Sequence, residues 1–340
     1  MKDIARALSL SVSTVSRALS DSPSISKEVR ERVRAYADEH HFSANRVAVH
    51  LRQSHTENQR VIGVIVPELA HYFFSSILTG IMEAATERGY FVMVAHSNER
   101  FSRERELCQQ FDANRVCGVI VSLAKDTPIY NYEHFRILQE RGMPLVFCDR
   151  ICTGINASRV VVDDYQGAYN AVTHLIQSGC RRIAFYGMDS KLEIQKNRFN
   201  GYRDALLKAG ITPDPALSLF ADTREKAEAI TPGVMNRDSP PDAFFAVNDD
   251  TAIGILYAVK RMGFRVPDDI SICGFTNGPQ ALSSDPMLTT VEQRGREVGR
   301  QAALIIIDKV EGRTPLAQIE RRIVKTRLVE RGTTIIKNNK

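Results

Sequence analysis

Residues 43–67 read SANRVAVHLRQSHTENQRVIGVIVP, and the character of the chain changes inside that stretch. Up to Arg60 it is polar and basic; from Val61 it becomes an apolar run suited to a fully buried β-strand. Asn45 can cap a short helix in which Val47, Ala48 and Leu51 share one face. A helix that short is marginal in water and forms only against a partner. Two different architectures therefore meet here, one ending near residue 43 and the other starting near residue 61.

Upstream, Lys2–Leu8 has a helical pattern with Ile4, Ala5 and Leu8 on one side, interrupted at Ser9, Leu10 and Ser11. Ser11 is the natural N-cap of a second helix, with Val15, Ala18 and Leu19 turned inward. Two short helices joined by a tight turn form a helix-turn-helix pattern. Val12, Ser13, Ser16 and Arg17 then face outward, small, hydroxylic or able to grip guanine with a planar fork. A third helix starts at the cap Ser26 and buries Val29, Val33 and Ala37, with Phe42 closing the mini-core. The first 60 residues hold ten Lys/Arg against seven acids, so most of the net charge of +5 falls in this sixth of the chain. A DNA-binding head has such an excess, and so does a solvated helical surface.

Downstream, apolar runs alternate with helical stretches. The strands expected are Val61–Pro67, Tyr90–His96, Val116–Ser122, Leu145–Asp149, Val160–Asp163, Ile183–Gly187, Ala243–Asn248, Ile270–Phe275 and Thr289–Gln293. Helices expected between them include Ser75–Arg88, Arg103–Asn114, Ala168–Ser178, Asn197–Ala209 and Thr251–Met262. The alternation predicts parallel, doubly wound sheets, and so many strands require more than one. Ligands of such sheets sit beyond the carboxyl ends of the strands. Those ends carry Pro67–Phe74, Ser122, Asp149-Arg150, Asp163-Asp164, Asn248-Asp249 and Thr276-Asn277, with Arg198 as a further candidate. Rings, amides, carboxylates and a guanidinium suit a small polar metabolite. Helix capping competes with ligand binding at Asp163-Asp164 and Asn248-Asp249, and core packing competes at Phe74.

Composition narrows the class. A hydrophobic share of 43% and a charged share of 25% are ordinary for a soluble globular chain, and no apolar run reaches membrane-spanning length. The charged N-terminus MKDIARALSLS has no signal-peptide core, so a cytoplasmic location is expected. The six cysteines are scattered and read as reduced, buried thiols; no metal or cofactor is expected. Neither Asp163/Asp164 nor Asp249/Asp250 forms a dyad on one strand face, and phosphate-loop, GxGxxG and GxSxG motifs are missing. The chain is not expected to be an enzyme.

The residues Lys2-Asp3-Ile4-Ala5, Val12–Leu19, Ser26–Val33, Asn45-Arg46-Val47-Ala48 and Leu51, followed in order by GVIVP, DD, ND, GF and LTTV, resemble the lactose-repressor (LacI) family over essentially the whole chain. The resemblance implies a headpiece at 1–43, a hinge helix and linker at 44–60, and a periplasmic-binding-protein-like core at 61–340. The core would have one lobe at about 61–162 and 292–322 and another at about 163–291 and 323–340, with crossings near Asp163, Gln293 and Arg322. A homodimer would bind a pseudo-palindromic double-stranded operator, most simply as a repressor. Val12, Ser13 and Arg17 would read bases, Thr14, Ser16 and Asn45 would hold phosphates or neighbouring groups, and Val47 and Ala48 would build the paired hinge helices. Leu51 would wedge into the minor groove. The effector contacts implied are Tyr72, Phe73, Ser122, Asp149, Arg198, Asn248, Asp249 and Thr276.

The chain departs from the family pattern in three places. Few residues and no Thr cap precede Lys2, and Ser9 stands where Gly is common in the turn. Thr276-Asn277 replaces the Asp of many sugar-binding relatives, so a sugar-like effector is favoured with fewer strong acceptors. The C-terminus lacks a leucine heptad, which favours a dimer over a tetramer. The alternative readings are a sugar receptor without a primary DNA role and an α/β enzyme.

Overall fold

The computed structural model describes residues 1–19, 22–40, 60–189 and 191–335, and the chain divides into two compact units, Met1–Gln59 and Arg60–Lys340. In the first, α1 (Lys2–Ala7), α2 (Val12–Leu19) and α3 (Lys27–Glu39) pack around Ile4, Ala5, Val15, Ala18, Val33 and Ala37. Ser9 turns the chain between α1 and α2 with a left-handed φ of 54°. The Ser11 hydroxyl accepts the Thr14 N–H at 3.0 Å and caps α2; that of Ser26 accepts the Val29 N–H at 3.4 Å and caps α3. Met1 gives α1 no side-chain cap. Phe42 lies outside the described residues.

The second unit holds two six-stranded sheets. In the first lobe β1 (Val61–Val66), β2 (Phe91–His96), β3 (Gly118–Val121), β4 (Leu145–Cys148) and β5 (Ser158–Val162) alternate with α4 (Tyr72–Glu87), α5 (Phe101–Ala113) and α6 (Glu133–Glu140). The chain then builds the second lobe from α7 (Asp164–Gln177), β6 (Ile183–Gly187), α8 (Glu193–Lys208), β7 (Ser218–Phe220), α9 (Arg224–Met235), β8 (Ala243–Ala246), α10 (Asp249–Arg261), β9 (Ser271–Thr276), α11 (Pro279–Ser283) and β10 (Thr289–Glu292). It returns to the first lobe for α12 (Gly295–Val310) and β11 (Arg321–Val324), and crosses once more for β12 (Arg327–Val329).

The strand orders are β2-β1-β3-β4-β5-β11 and β7-β6-β8-β9-β10-β12, parallel throughout except that β12 runs antiparallel to β10. Both are doubly wound, with order reversing between β1 and β3 and between β6 and β8. The third passage between lobes falls after Val324, beyond the expected position near Arg322. Arg321–Val324 pairs in register with Arg159–Val162 and completes the first sheet, so Ile323 and Val324 belong to that lobe.

α4 and α12 cover one face of the first sheet. They touch backbone to backbone: a Cβ on Gly80 would stand 1.9 Å from the Arg296 carbonyl oxygen, and one on Gly299 1.9 Å from that of Ile77. α5 and α6 cover the other face over β1, β3 and β4. In the second lobe α9 and α10 pack on one face and α7 and α8 on the other. The edge strand β2 leaves Phe91, Met93 and Val94 exposed.

Candidate functional site

The outer face of α2 presents Val12, Ser13 and Arg17 to solvent, with Thr14 and Ser16 half-buried beside them. The Ser11 hydroxyl lies 2.7 Å from that of Ser13 and 2.8 Å from that of Thr14, so these polar groups are fixed relative to the cap. A short helix carrying an exposed valine, hydroxyls and an arginine fits a major groove. Asn45, Val47, Ala48 and Leu51 lie outside the described residues.

The second site is a cleft of about 320 Å³ between the lobes, at the carboxyl ends of both sets of strands. His71, Phe73 and Phe74 enter from the start of α4, and Lys125 from the loop after β3. Asp149 and Arg150 follow β4, where Asp149 takes a left-handed φ of 61°. Arg198 on α8, Asp222 after β7, Asn248 after β8 and Thr276 at the end of β9 close the far wall. The strand ends gathered here lie at and beside the switch points where doubly wound sheets bind ligands.

Each cation of this cleft has an internal partner. Lys125 Nζ, from the first lobe, lies 2.5 Å from Asp222 Oδ2 of the second, and Lys226 Nζ lies 2.8 Å from Asp222 Oδ1. Burial works to raise the Asp222 carboxyl, but the two lysines outweigh it and hold the pKa below the usual carboxylate range. Arg150 donates from Nη1 to both Glu99 oxygens at 2.8 and 2.7 Å and lies 5.2 Å above the Phe74 ring. Arg198 donates from Nε to Asp164 at 2.8 Å and from Nη1 to the Val247 carbonyl at 2.5 Å, with its guanidinium 3.9 Å from the Phe275 ring centroid.

Unmatched groups remain among these pairs. Asp149 Oδ1, Thr276 Oγ1 and Arg150 Nε are buried with no hydrogen-bond partner among the described residues. Burial, reinforced by the charge of Asp164, pushes the Asp149 carboxyl up to about 7 against the pull of Arg150 and Arg198. Burial also makes His71 harder to protonate, and its Nδ1 accepts the Phe73 N–H at 3.3 Å, capping α4.

Of the residues put forward as effector contacts, the structure brings Phe73, Asp149, Arg198, Asn248 and Thr276 to the cleft. Tyr72 instead points outward and is exposed. Ser122 is buried and does not line the cleft, and its hydroxyl has no partner among the described residues. Asp249 is buried as scaffold: its carboxylate accepts the Thr290 hydroxyl at 2.5 Å and the Gly278 N–H at 2.8 Å, and burial raises its pKa to about 6. Asn248 combines two roles, lining the cleft while its Oδ1 accepts the Thr251 N–H at 2.8 Å as the cap of α10. Asn277 turns away, accepting from Arg331 at 2.6 Å.

Glu99, Lys125, Asp222 and Gln293 also line the cleft and are missing from the set read off the sequence. Glu99, Lys125 and Asp222 follow strand ends by two to four residues, so a wider window after each strand would have found them. Among the described residues no group of His, Cys, Asp and Glu is placed to hold a metal ion, and no helix is long and apolar enough to cross a membrane.

Comparison with known proteins adds family. Residues 1–45 match the model of the bacterial regulatory proteins of the lacI family, and residues 172–334 match that of the periplasmic binding protein-like domain. The chain is 30% identical to the HTH-type transcriptional repressor CytR of Escherichia coli K12 across 98% of its own length and 96% of that relative. It superposes on a CelR transcriptional regulator–cellobiose complex with a TM-score of 0.73 and 27% identity, covering 97% and 98% of the two chains. A lac repressor dimer bound to operator and the anti-inducer ONPF shares the fold with a TM-score of 0.84 over 98% of each chain at 24% identity. The chain belongs to the LacI family of bacterial regulatory proteins and is a DNA-binding transcriptional regulator.

Proposed function

We propose that the protein is a cytoplasmic repressor that binds a pseudo-palindromic operator as a homodimer and is controlled by an uncharged, sugar-like effector held between its lobes. Residues 1–43 form the DNA-reading headpiece, 44–60 the hinge, and 61–340 the effector-binding and dimerisation core. Arg17 is the main base-reading side chain, and Leu51 is the minor-groove wedge.

The observation that carries the effector reading is the charge arrangement of the cleft. Its lysines and arginines are already held by carboxylates, Lys125 and Lys226 sharing Asp222, Arg150 on Glu99 and Arg198 on Asp164, while Asp149 Oδ1, Thr276 Oγ1 and Arg150 Nε have no partner among the described residues. An anionic ligand would have to break an internal pair; a hydroxyl-rich neutral one satisfies the waiting groups beside the Phe73 and Phe74 rings. The cellobiose complex of CelR is in keeping with this class. Exposed Phe91, Met93 and Val94 on an unpaired sheet edge, with Tyr72 and Met82 on α4, favour a second copy as the dimer partner.

Fluorescence anisotropy with an inverted-repeat duplex taken from DNA beside the gene tests both halves. Leu51→Ala weakens operator binding. Thr276→Val removes a hydroxyl that has no partner among the described residues, so it leaves operator binding intact. It moves the midpoint for an active sugar, screened from cellobiose and D-ribose, by about tenfold. An unchanged effector midpoint in Thr276→Val would refute the cleft assignment.

A further inference from the structure

A second cavity, of about 330 Å³, opens between the lobes and shares only Asp149 and Ile194 with the effector cleft. Its first-lobe wall is the end of the first sheet. There β11 pairs with β5 in parallel register, Arg321 opposite Arg159 and Ile323 opposite Val161. With side chains alternating along each strand, these four stand on one face. They lie beyond the part of that face covered by α5 and α6, and Ile323 is 53% exposed. The second-lobe wall comes from Glu193 and Asn197 at the start of α8.

Two arginines at directly paired positions on neighbouring strands repel each other unless something neutral or negative intervenes. Three of the four acids lining the cavity are engaged elsewhere, and burial favours the neutral form of the fourth, Asp149. Asp164 holds Arg198, Glu193 lies 3.1 Å from Lys196, and Asp163 accepts the Gln166 N–H at 3.2 Å. Among the described residues neither Arg159 nor Arg321 has an ion-pair partner, and Arg159 Nε is buried with no hydrogen bond. The effector cleft is the opposite case, since its cations are each matched.

We propose that this second cavity binds a small oxyanion, the phosphoryl or carboxylate group of a metabolite, between Arg159 and Arg321. A guanidinium presents two parallel donors to such a group, and a pair of them suits its delocalised charge. Val161 and Ile323 provide an apolar floor for the rest of the molecule. Asn197 belongs to the second lobe and both arginines to the first, so the bound anion contacts both lobes and biases their arrangement independently of the cleft ligand.

The test is thermal unfolding of the full-length protein at fixed ionic strength, with chloride replaced stepwise by inorganic phosphate or by malonate. Wild type shows a saturable rise in melting temperature with at least one of the two anions. Arg321→Gln changes an exposed side chain with no partner among the described residues, and so keeps the fold; it shifts the midpoint of that rise by about tenfold or more. Arg159→Gln does the same. The charge-matched controls Arg136→Gln and Arg203→Gln, each a single change at an exposed site elsewhere, retain the wild-type midpoint. A response to phosphate alone assigns the phosphoryl group, and one to malonate alone the carboxylate. A rise no greater than with chloride, or one that persists unchanged in both arginine variants, overturns the proposal.

Discussion

Lys125 and Asp222 form an ion pair across the effector cleft, and breaking it should loosen the lobes by a predictable amount. Both ends are held in place before they meet. On the first lobe the Lys125 N–H donates to Glu99 Oε2 at 2.7 Å, and Glu104 fixes the same loop by accepting from the Ala124 N–H at 2.8 Å and the Thr127 hydroxyl at 3.1 Å. On the second lobe the Asp222 carbonyl accepts from Asn248 Nδ2 at 2.9 Å. The lysine side chain is 29% exposed and the aspartate 12%, so the pair lies between a surface bridge and a buried one. Surface pairs contribute up to about 1 kcal/mol, and losing one partner of a buried pair costs about 3–5 kcal/mol. A coupling of about 1–2 kcal/mol is therefore expected, and it shifts the balance between closed and open lobes by a factor of about 5–30. Lys125→Met, Asp222→Asn and the double variant form a cycle that removes the contribution of Lys226 from the pairwise energy. Urea unfolding gives the coupling, and small-angle scattering follows the radius of gyration, which rises in the single variants. Additivity of the two substitutions within about 0.3 kcal/mol, with no change in scattering, would refute the latch.

Two further outcomes follow from the core. Asp149 has a raised pKa in the fold, so its protonated form is the one the structure favours. Its stabilising contribution is complete below the ordinary carboxylate value of 3.8 and is lost as pH rises through about 7. Asn is at home in left-handed backbone and fixes the neutral state, so Asp149→Asn should gain on wild type by up to a few kcal/mol between pH 4 and pH 8, measured by urea unfolding; parallel pH profiles would contradict this. Gly299→Ala places a methyl group against the Ile77 carbonyl and should destabilise the core by about 1–3 kcal/mol or more, lowering the melting temperature; an unchanged one would mean α4 and α12 separate easily.

The interior strands were legible because each is an apolar run with a turn or helix signal on either side, as at Val61–Val66 and Ile183–Gly187. The strands missed are the short edges. β7 has three residues, and β11 and β12 begin Arg-Arg and Arg, since an edge strand needs no continuous apolar sequence. That omission moved the third crossing. It also hid the paired arginines, whose proximity depends on β11 lying in register with β5. At the cleft, strand ends pointed to Asp149, Asn248 and Thr276, but side-chain direction decided the rest. Tyr72 and Phe73 are neighbours in sequence, yet helical geometry sends one outward and the other into the cleft. Arg198 was found without its partner, since Asp164 reaches it only through the packing of α7 on α8.

The passage of the chain back through the first lobe also orders its synthesis. α3 ends at Glu39, so the headpiece is complete once roughly the first eighth of the chain has left the ribosome. The first lobe must wait much longer. α4 closes against α12, and Gly299 meets a carbonyl made 222 residues earlier, at Ile77. Until Gly295–Val310 emerges, Ile77, Ile81 and Phe73 lack the apolar face that covers them. The nascent regulator therefore carries its DNA-reading module long before either lobe can shut on an effector, with an apolar helix exposed in the interval. That interval is when the chain most needs a chaperone, and when a broken message would release a headpiece with no core to govern it.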